Sequence, residues 1–287
     1  MSHTDLSLPG LVAPLLAVCR EAAAAIVEHY DSPGADAFHA KADDSPLTRA
    51  DLASHAILSR GLQALAPGVP VLSEESRPED VAGRRDWQRF WLVDPLDGTK
   101  EFLARTGEFT INIALIEEHR PVFGLLYVPL RSHAFVGIPG ELALQFTGPD
   151  CPGLPLATRP LSAQHPLVVL ASRRHRGERL TSCLAGLASA GWEIERRNSG
   201  SALKFCDLAA GDGDFYPRFA PCSEWDTAAG QALLEAAGGA LLDLAGQPLR
   251  YNCRDSLLSP PFLAIADPGH ALWADVLAEI AASGTAR

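Results

Sequence analysis

One acidic stretch, Asp94-Pro95-Leu96-Asp97-Gly98-Thr99, decides how the rest of the chain is interpreted. The apolar run 90–93 before it predicts a buried strand, which delivers one carboxylate, and the turn delivers a second three residues later. Two such carboxylates and the Leu96 carbonyl can converge on a hard cation, and Gly98 and Thr99 could open a helix whose N–H groups suit phosphate. A type I turn explains the same residues equally well, because Asp-Pro and Asp-Gly favour turns.

Three other segments carry carboxylates that could complete such a site. They are Thr48-Arg49-Ala50-Asp51, Ser73-Glu74-Glu75-Ser76 and Trp225-Asp226-Thr227-Ala228-Ala229-Gly230. Each has a purely structural alternative: Asp51 can compensate a helix dipole, Glu74 can belong to a solvated loop, and Asp226 can cap a helix. Taken singly, none of these segments establishes a function.

Composition limits the classes of partner. The chain has 287 residues, of which 47% are hydrophobic and 21% charged, enough for one large domain or two lobes with a substantial core. The formal net charge of −11 argues against a nucleic-acid polymer as partner. A small phosphorylated molecule is compatible with this negative charge, provided that bound cations reverse the sign of the charge at its binding site.

Cysteine spacing and hydropathy indicate a reducing compartment. The six cysteines form no C-x-x-C pair and no zinc-spaced cluster with histidine, so we expect reduced and mostly buried thiols. The sequence shows no signal-peptide pattern and no run of 18 apolar residues. We therefore expect a cytoplasmic protein without an integral membrane segment.

Helical and alternating patterns are mixed along the chain. Apolar spacing predicts helices at 11–30, 48–65, 181–191, 202–211 and 225–238, and strands at 69–72, 90–93, 109–117, 122–128 and 167–171. Residues 139–160 are rich in Gly and Pro and predict a connection made of loops. The prediction is a layered α+β protein with a metal-binding catalytic lobe at 1–157 and a nucleotide-binding lobe at 158–287.

Together the four acidic segments resemble the inositol-monophosphatase superfamily, whose motifs T-x-x-D, E-E, D-P-L-D-G-T and W-D-x-A-A-G they match in the same order. Further matching stretches at 107–116, 200–208 and 216–219 extend the resemblance over nearly the whole chain. Lys100-Glu101-Phe102 is typical of the CysQ-type 3′(2′),5′-bisphosphate nucleotidase branch, since inositol phosphatases usually carry Asn before that Phe.

The resemblance implies a layered α/β/α/β sandwich with the site between two lobes. It implies Mg²⁺ as cofactor, two ions per site with a third, weaker one as a family variant, held by hard oxygen donors: Glu74, Asp94, the Leu96 carbonyl, Asp97 and Asp226. Asp51 and Thr99 would position and deprotonate the attacking water. The substrate would contact several of these residues and the start of the next helix: Glu74, Leu96, Asp97, Gly98, Thr99 and Asp226.

The second lobe would bind the nucleotide. The resemblance implies contacts from Ser172, His175, Gly200, Ser201 and Lys204, with Lys204 pairing the phosphate that is not cleaved and Arg218 as a further candidate. The alternatives are a solvent-exposed helix lysine for Lys204 and a surface-loop histidine for His175. Residues 139–160 and Cys222 match no motif of the superfamily.

The resulting hypothesis is hydrolysis of the 3′-phosphate of adenosine 3′,5′-bisphosphate to AMP and phosphate, in sulfur assimilation, with lithium sensitivity. Three alternatives remain: an inositol or sugar monophosphatase, 3′-phosphoadenylyl sulfate as the main substrate, and a non-catalytic metal- or nucleotide-binding regulator. The oligomeric state and any peripheral association with the cytoplasmic face of the inner membrane stay open.

Overall fold

The computed structural model describes residues 7–32, 38–40, 46–172 and 177–284. The α-helices are α1 (Val12–Asp31), α2 (Arg49–Leu65), α3 (Thr99–Leu103), α4 (Glu178–Ser189), α5 (Leu203–Ala209), α6 (Ala228–Ala236) and α7 (Leu272–Gly284). Short 3₁₀ helices span Leu8–Leu11, Pro78–Val81, Arg84–Asp86, Pro129–Arg131 and Glu224–Asp226.

The strands follow in chain order. They are β1 (His39–Ala40), β2 (Pro46–Leu47), β3 (Val71–Ser73), β4 (Arg89–Asp97), β5 (Thr110–Glu117), β6 (Arg120–Val128), β7 (His133–Ile138), β8 (Leu142–Phe146), β9 (Leu154–Pro155), β10 (Leu167–Ala171), β11 (Ile194–Asn198), β12 (Phe215–Arg218), β13 (Cys222–Ser223), β14 (Ala240–Asp243), β15 (Leu258–Ser259) and β16 (Phe262–Ile265).

The first large sheet contains seven strands, β3 to β9, in sequential order. Strands β3 and β4 are parallel, and every later neighbour is antiparallel. The prediction of a loop connection at 139–160 was wrong, because β8 and β9 lie within it and extend this sheet. The many Gly and Pro residues hid two short strands, and a proline such as Pro155 is tolerated at a sheet edge, where its missing N–H costs no ladder bond.

The second sheet contains five strands in the order β11-β10-β12-β16-β14. Its strands begin at Leu167, whereas the first sheet ends at Pro155. The lobe boundary that we propose between residues 157 and 158 falls in the segment between them.

The two sheets and the helices stack in layers, as the predicted α+β class requires. Helices α1 and α2 cover one face of the first sheet, and α5 and α6 fill the space between the two sheets. Helices α4 and α7 cover the outer face of the second sheet and add a fifth layer. Helix α7 was absent from the sequence-based prediction.

Most predicted elements are confirmed, with two informative differences. Strand β4 runs on to Asp97 instead of ending before the acidic stretch. The helix predicted from Trp225 begins only at Ala228, after the 3₁₀ turn Glu224–Asp226. The Asp226 carboxylate accepts the Ser223 N–H at 3.1 Å and so caps that turn, so the prediction that it caps α6 was wrong.

Helix α1, with the 3₁₀ turn before it, is by length and composition alone long and apolar enough to cross a membrane. In this fold its buried residues, including Leu15, Cys19 and Ile26, pack into the core with α2 and the first sheet. A core helix of a globular domain passes the same test of length and composition.

Helix α6 lies directly against the first sheet at two glycines. A Cβ added at Gly124 would lie 2.3 Å from the Ala229 carbonyl oxygen, and one at Gly137 would lie 2.3 Å from the Leu233 Cα. Backbone atoms cannot move aside as a flexible side chain can. The absence of side chains at these positions therefore sets how closely α6 approaches the sheet.

We predict that Gly137→Val destabilises the protein by about 3 kcal/mol or more, because the new side chain would collide with the α6 backbone. For a chain of this size the melting temperature should fall by roughly 6–12 °C, measured by differential scanning calorimetry. Gly83→Ala is the control, since an added Cβ there meets nothing within 4 Å. Equal melting temperatures for the two variants would contradict this close packing.

Candidate active site

A cavity of about 480 Å³ opens beside the acidic stretch. Its walls combine residues of both predicted lobes. Those predicted from the sequence are Glu74, Asp94, Leu96, Asp97, Gly98, Thr99, Ser172, Gly200, Ser201, Lys204 and Asp226, and Arg218 also lines it. The structure thus brings together nearly all the predicted site residues. Asp51 does not line the cavity itself but contacts Thr99, which does. His175 lies outside the described residues.

A β-bulge turns two carboxylates toward this cavity. Asp94 pairs with Asn112 and Asp97 with Thr110. The two aspartates are three residues apart on β4, whereas their partners are two residues apart on β5, so β4 contains one extra residue here. In a regular strand, residues three apart point to opposite faces, and the extra residue brings Asp94 and Asp97 to the same side. Pro95 lies inside the bulge, where its lack of an N–H removes no ladder bond. The bulge therefore builds the acidic end of the cavity.

Asp226 completes a group of three carboxylates. One carboxylate oxygen each from Asp94, Asp97 and Asp226 lies within 4.8 Å of the other two. Among the described residues, these three form a group of potential metal ligands. Asp226 reaches it from the 3₁₀ turn before α6. Glu74 lines the same cavity, held by the bond from its N–H to the Val93 carbonyl at 3.0 Å.

Burial and mutual repulsion disturb these acids strongly. Burial raises the pKa of Asp94 well above its usual range, and the nearby charges of Glu74, Asp97 and Asp226 raise it further. Burial, followed by the charge of Asp97, raises the pKa of Asp226 to about 7. Carboxylates that repel one another this strongly favour a cation among them.

The donor set fits a hard divalent cation. Carboxylate and carbonyl oxygens are the ligands that Mg²⁺ prefers, and the three aspartates offer them at convergent positions. No His or Cys takes part in this group, which disfavours softer metals. The Leu96 carbonyl oxygen lies 3.3 Å from the Thr99 hydroxyl oxygen, and Leu96 lines the same cavity.

Asp51 and Thr99 form the predicted contact across the two segments. The Thr99 hydroxyl donates to Asp51 Oδ1 at 3.2 Å. The other oxygen of Asp51, Oδ2, accepts the Thr48 N–H at 2.7 Å and the Thr48 hydroxyl, which forms the capping box of α2. One buried carboxylate thus serves both the helix start and Thr99, so the structural and functional interpretations of Asp51 are compatible.

Lys204 is buried in the wall of the same cavity, so the alternative of a solvent-exposed lysine was wrong. Its side chain is 2% exposed, and its ammonium donates to the carbonyls of Ser199 and Ser201. It also lies 4.9 Å from the centre of the Tyr216 ring. Burial lowers the pKa of Lys204 to about 8.

Arg218 and Cys222 line the wall near Lys204. Arg218 donates to the Tyr216 hydroxyl at 3.3 Å and to the Pro221 carbonyl at 3.1 Å, while its Nε is buried without a hydrogen-bond partner among the described residues. Burial raises the pKa of Cys222 to about 12, so this thiol stays neutral. All six cysteines are free and four are buried, as the sequence indicated.

Two residues near the carboxylates were missed by sequence reasoning. Thr110 and Asn112 are almost fully buried on the face of β5 opposite to Ile111 and Ile113. Asn112 donates to Asp97 Oδ2 at 3.2 Å. Two polar residues that alternate with isoleucines in a strand were the available signal.

Comparison with known proteins agrees with this geometry. The model of the inositol monophosphatase family matches residues 11–280. The chain is 44% identical over 245 residues to the 3′(2′),5′-bisphosphate nucleotidase CysQ of Salmonella typhimurium, which covers 85% of this chain and 95% of that protein. It is 43% identical, with the same coverage, to the protein of that name from Escherichia coli K12.

Solved structures show the same fold. CysQ from Bacteroides thetaiotaomicron, described as a bacterial member of the inositol monophosphatase family, superposes with a TM-score of 0.77 at 36% identity, covering 90% of this chain and 97% of that one. An inositol monophosphatase from Anabaena superposes with a TM-score of 0.71 at 22% identity, covering 95% and 96%, which is a likeness of fold alone. Because the family model spans nearly the whole chain, and relatives of over 40% identity share most of its length, this chain belongs to the inositol monophosphatase family.

Proposed function

We propose that this chain is a Mg²⁺-dependent 3′(2′),5′-bisphosphate nucleotidase that hydrolyses the 3′-phosphate of adenosine 3′,5′-bisphosphate to give AMP and phosphate. The observation that carries the proposal is a single cavity lined by two chemically different groups. Asp94, Asp97 and Asp226 form the acidic group, and Lys204 and Arg218 form the basic group. A molecule with two phosphates matches both groups, and the names of the CysQ relatives support the same substrate class.

Glu74, Asp94, the Leu96 carbonyl, Asp97 and Asp226 would hold the cations, which we propose number two, with a third near Glu74 and Asp51 as a variant. When bound, they supply positive charge that neutralises the scissile phosphate and acidifies the attacking water. Phosphoryl transfer depends mostly on such positioning and neutralisation, because its transition state is largely dissociative.

Thr99 and Asp51 orient the water. The single hydrogen of the Thr99 hydroxyl faces two acceptors, Asp51 Oδ1 at 3.2 Å and the Leu96 carbonyl at 3.3 Å. Because neither a carbonyl nor an ionised carboxylate can donate, the Thr99 oxygen is left in either case to accept a hydrogen bond from a water in the cavity. Gly98 and Thr99, at the start of α3, would contact the phosphate itself.

The basic group distinguishes a bisphosphate from a monophosphate. A lysine ammonium has three N–H donors; two of those of Lys204 bind carbonyls, and we assign the third to the uncleaved phosphate. Ser172 and Gly200 line the same cavity and would contact the nucleoside. Ser201 and His175 complete the proposed set, and Arg218 would add a second cation.

Removing the metal tests the core of this proposal. We expect EDTA to abolish phosphate release from adenosine 3′,5′-bisphosphate and added Mg²⁺ to restore it. The same assay across 3′-phosphoadenylyl sulfate and inositol 1-phosphate should give the highest kcat/KM for the adenosine bisphosphate. Undiminished turnover in EDTA would refute the metal dependence, and a clear preference for inositol 1-phosphate would favour the monophosphatase alternative. An Asp97→Asn variant with unaltered phosphate release would favour the non-catalytic alternative.

Lys204→Met should weaken binding of the uncleaved phosphate and leave binding of the cleaved phosphate nearly unchanged. Loss of a charge-assisted hydrogen bond costs about 1.5–3 kcal/mol, so KM for adenosine 3′,5′-bisphosphate should rise roughly 10- to 100-fold. KM for 3′-AMP, which lacks the second phosphate, should change far less and serves as the internal control. Steady-state kinetics with both substrates checks this, with a thermal melt to verify folding. A parallel rise for both substrates would show that Lys204 does not contact the second phosphate.

Metal affinity should depend on pH. In the metal-free fold the pKa values of Asp94 and Asp226 are raised, that of Asp226 to about 7, so protons compete with the cation below pH 7. These raised values also mean that the metal-free fold loses stability as pH rises from about 4 to 7, and Mg²⁺ restores it. Calorimetric titration should show a Kd for Mg²⁺ that rises about tenfold per pH unit below 7 for each proton displaced. Asp226→Asn should flatten this dependence, and equal affinity at pH 6 and pH 8 would contradict it.

A further inference from the structure

Asp97 is surrounded by polar side chains that lie outside the four acidic motifs. Thr110 and Asn112 lie on β5 directly across from Asp97 and Asp94, and both are almost completely buried. Because they are two residues apart, their side chains share one face of the strand, the face toward the carboxylates. At the buried positions of β5, Thr110 and Asn112 are thus the polar residues among isoleucine, alanine and leucine, and both pair with acidic residues.

Two donors bind the same oxygen of Asp97. The Ser201 hydroxyl donates to Oδ2 at 2.9 Å, and the Asn112 amide donates to Oδ2 at 3.2 Å. A carboxylate oxygen accepts about two hydrogen bonds, so these contacts fill Oδ2 and fix the rotation of the group. The second oxygen, Oδ1, carries neither of these bonds. The arrangement therefore presents one defined oxygen of Asp97 to a ligand.

Thr110 joins the two donors. Its hydroxyl lies 2.7 Å from the Ser201 hydroxyl and 2.7 Å from the side-chain oxygen of Asn112. The Asn112 side-chain oxygen can only accept, so the single hydrogen of the Thr110 hydroxyl goes to it, which fixes the Asn112 amide with its NH₂ group toward Asp97. Thr110 thus orients Asn112 as a donor to Asp97, and its hydroxyl offers only an acceptor oxygen to Ser201.

Ser201 reaches Asp97 only because its loop is held in an uncommon conformation. Its φ of 50° lies in the left-handed region, which serine rarely adopts. The loop is held by the Lys204 ammonium on the Ser199 and Ser201 carbonyls, and by the Glu108 carboxylate, which accepts the Gly200 N–H at 2.9 Å. Strained backbone that the surroundings hold in place is typical of functional sites.

We propose that two donors, Ser201 and an Asn112 amide oriented by Thr110, position Asp97 for cation binding and tie that position to the 199–201 loop of the second lobe. This inference rests on the metal-dependent function proposed above. Ser201 is then first a donor to a metal ligand, and any contact with substrate comes in addition. Substrate that binds Lys204 would therefore affect the position of Asp97, because Lys204 binds the Ser201 carbonyl and the Ser201 hydroxyl binds Asp97.

Thr110→Val tests the network, because it removes the hydroxyl while it keeps the shape of the side chain. Mn²⁺ binding to the full-length protein without substrate, measured by electron paramagnetic resonance, should weaken about 3- to 10-fold. Thr110→Ser, which keeps the hydroxyl, should restore wild-type affinity. In kinetics the Mg²⁺ concentration for half-maximal rate should rise in the Val variant, while kcat at saturating Mg²⁺ stays within about twofold, a split that a general loss of structure would not give.

A second variant covers the case in which Thr110→Val does not fold. Ser201→Ala lies in a loop and removes one of the two donors to Asp97, so it should weaken Mn²⁺ binding by a similar factor. Wild-type Mn²⁺ affinity in a folded Thr110→Val or Ser201→Ala variant would overturn the inference and leave the proposed function standing. Failure of the wild-type protein itself to bind Mn²⁺ would overturn both.

Discussion

Electrostatic repulsion among three carboxylates in a buried place is the constraint on which this structure depends. Asp94, Asp97 and Asp226 place oxygens within 4.8 Å of one another, at a position where burial weakens screening by water. Such an arrangement destabilises the metal-free fold, so the surrounding protein has to hold the acids together. The proposed function explains why this destabilisation is retained, because carboxylates that repel one another bind a cation more tightly.

The fold holds the acids by distributing them over separate supports. Asp94 and Asp97 sit on one bulged strand, next to the edge strand β3 of the seven-stranded sheet, and pairing with Asn112 and Thr110 of β5 fixes their backbone. Asp226 sits on a 3₁₀ turn that leads into α6, and α6 lies against the same sheet at Gly124 and Gly137. The close approach of α6 therefore brings the third carboxylate to the first two.

Basic side chains in the same cavity reverse the sign of the charge. Lys204 is buried, yet it is held by backbone carbonyls and a tyrosine ring, and coulombic attraction to Asp97 partly offsets the burial that lowers its pKa. A chain with a net charge of −11 thus concentrates positive groups where a second phosphate would lie. The loop at 199–201 connects the basic group to the acidic one, because Lys204 binds its carbonyls and Ser201 binds Asp97.

The sequence by itself determined the composition of the site. The resemblance of the acidic motifs to those of the superfamily implied Glu74, Asp94, Asp97 and Asp226 as one group, and the helix start at Thr48 placed Asp51 correctly, because capping depends on residues only three apart. Tertiary structure decided what depends on distant residues. The bulge at Pro95 aligned Asp94 with Asp97, contact with α6 brought up Asp226, and burial made Lys204 part of the site and placed Thr110 and Asn112 against Asp97. Local spacing could not predict these, because strand register and helix packing join residues that lie far apart in the chain.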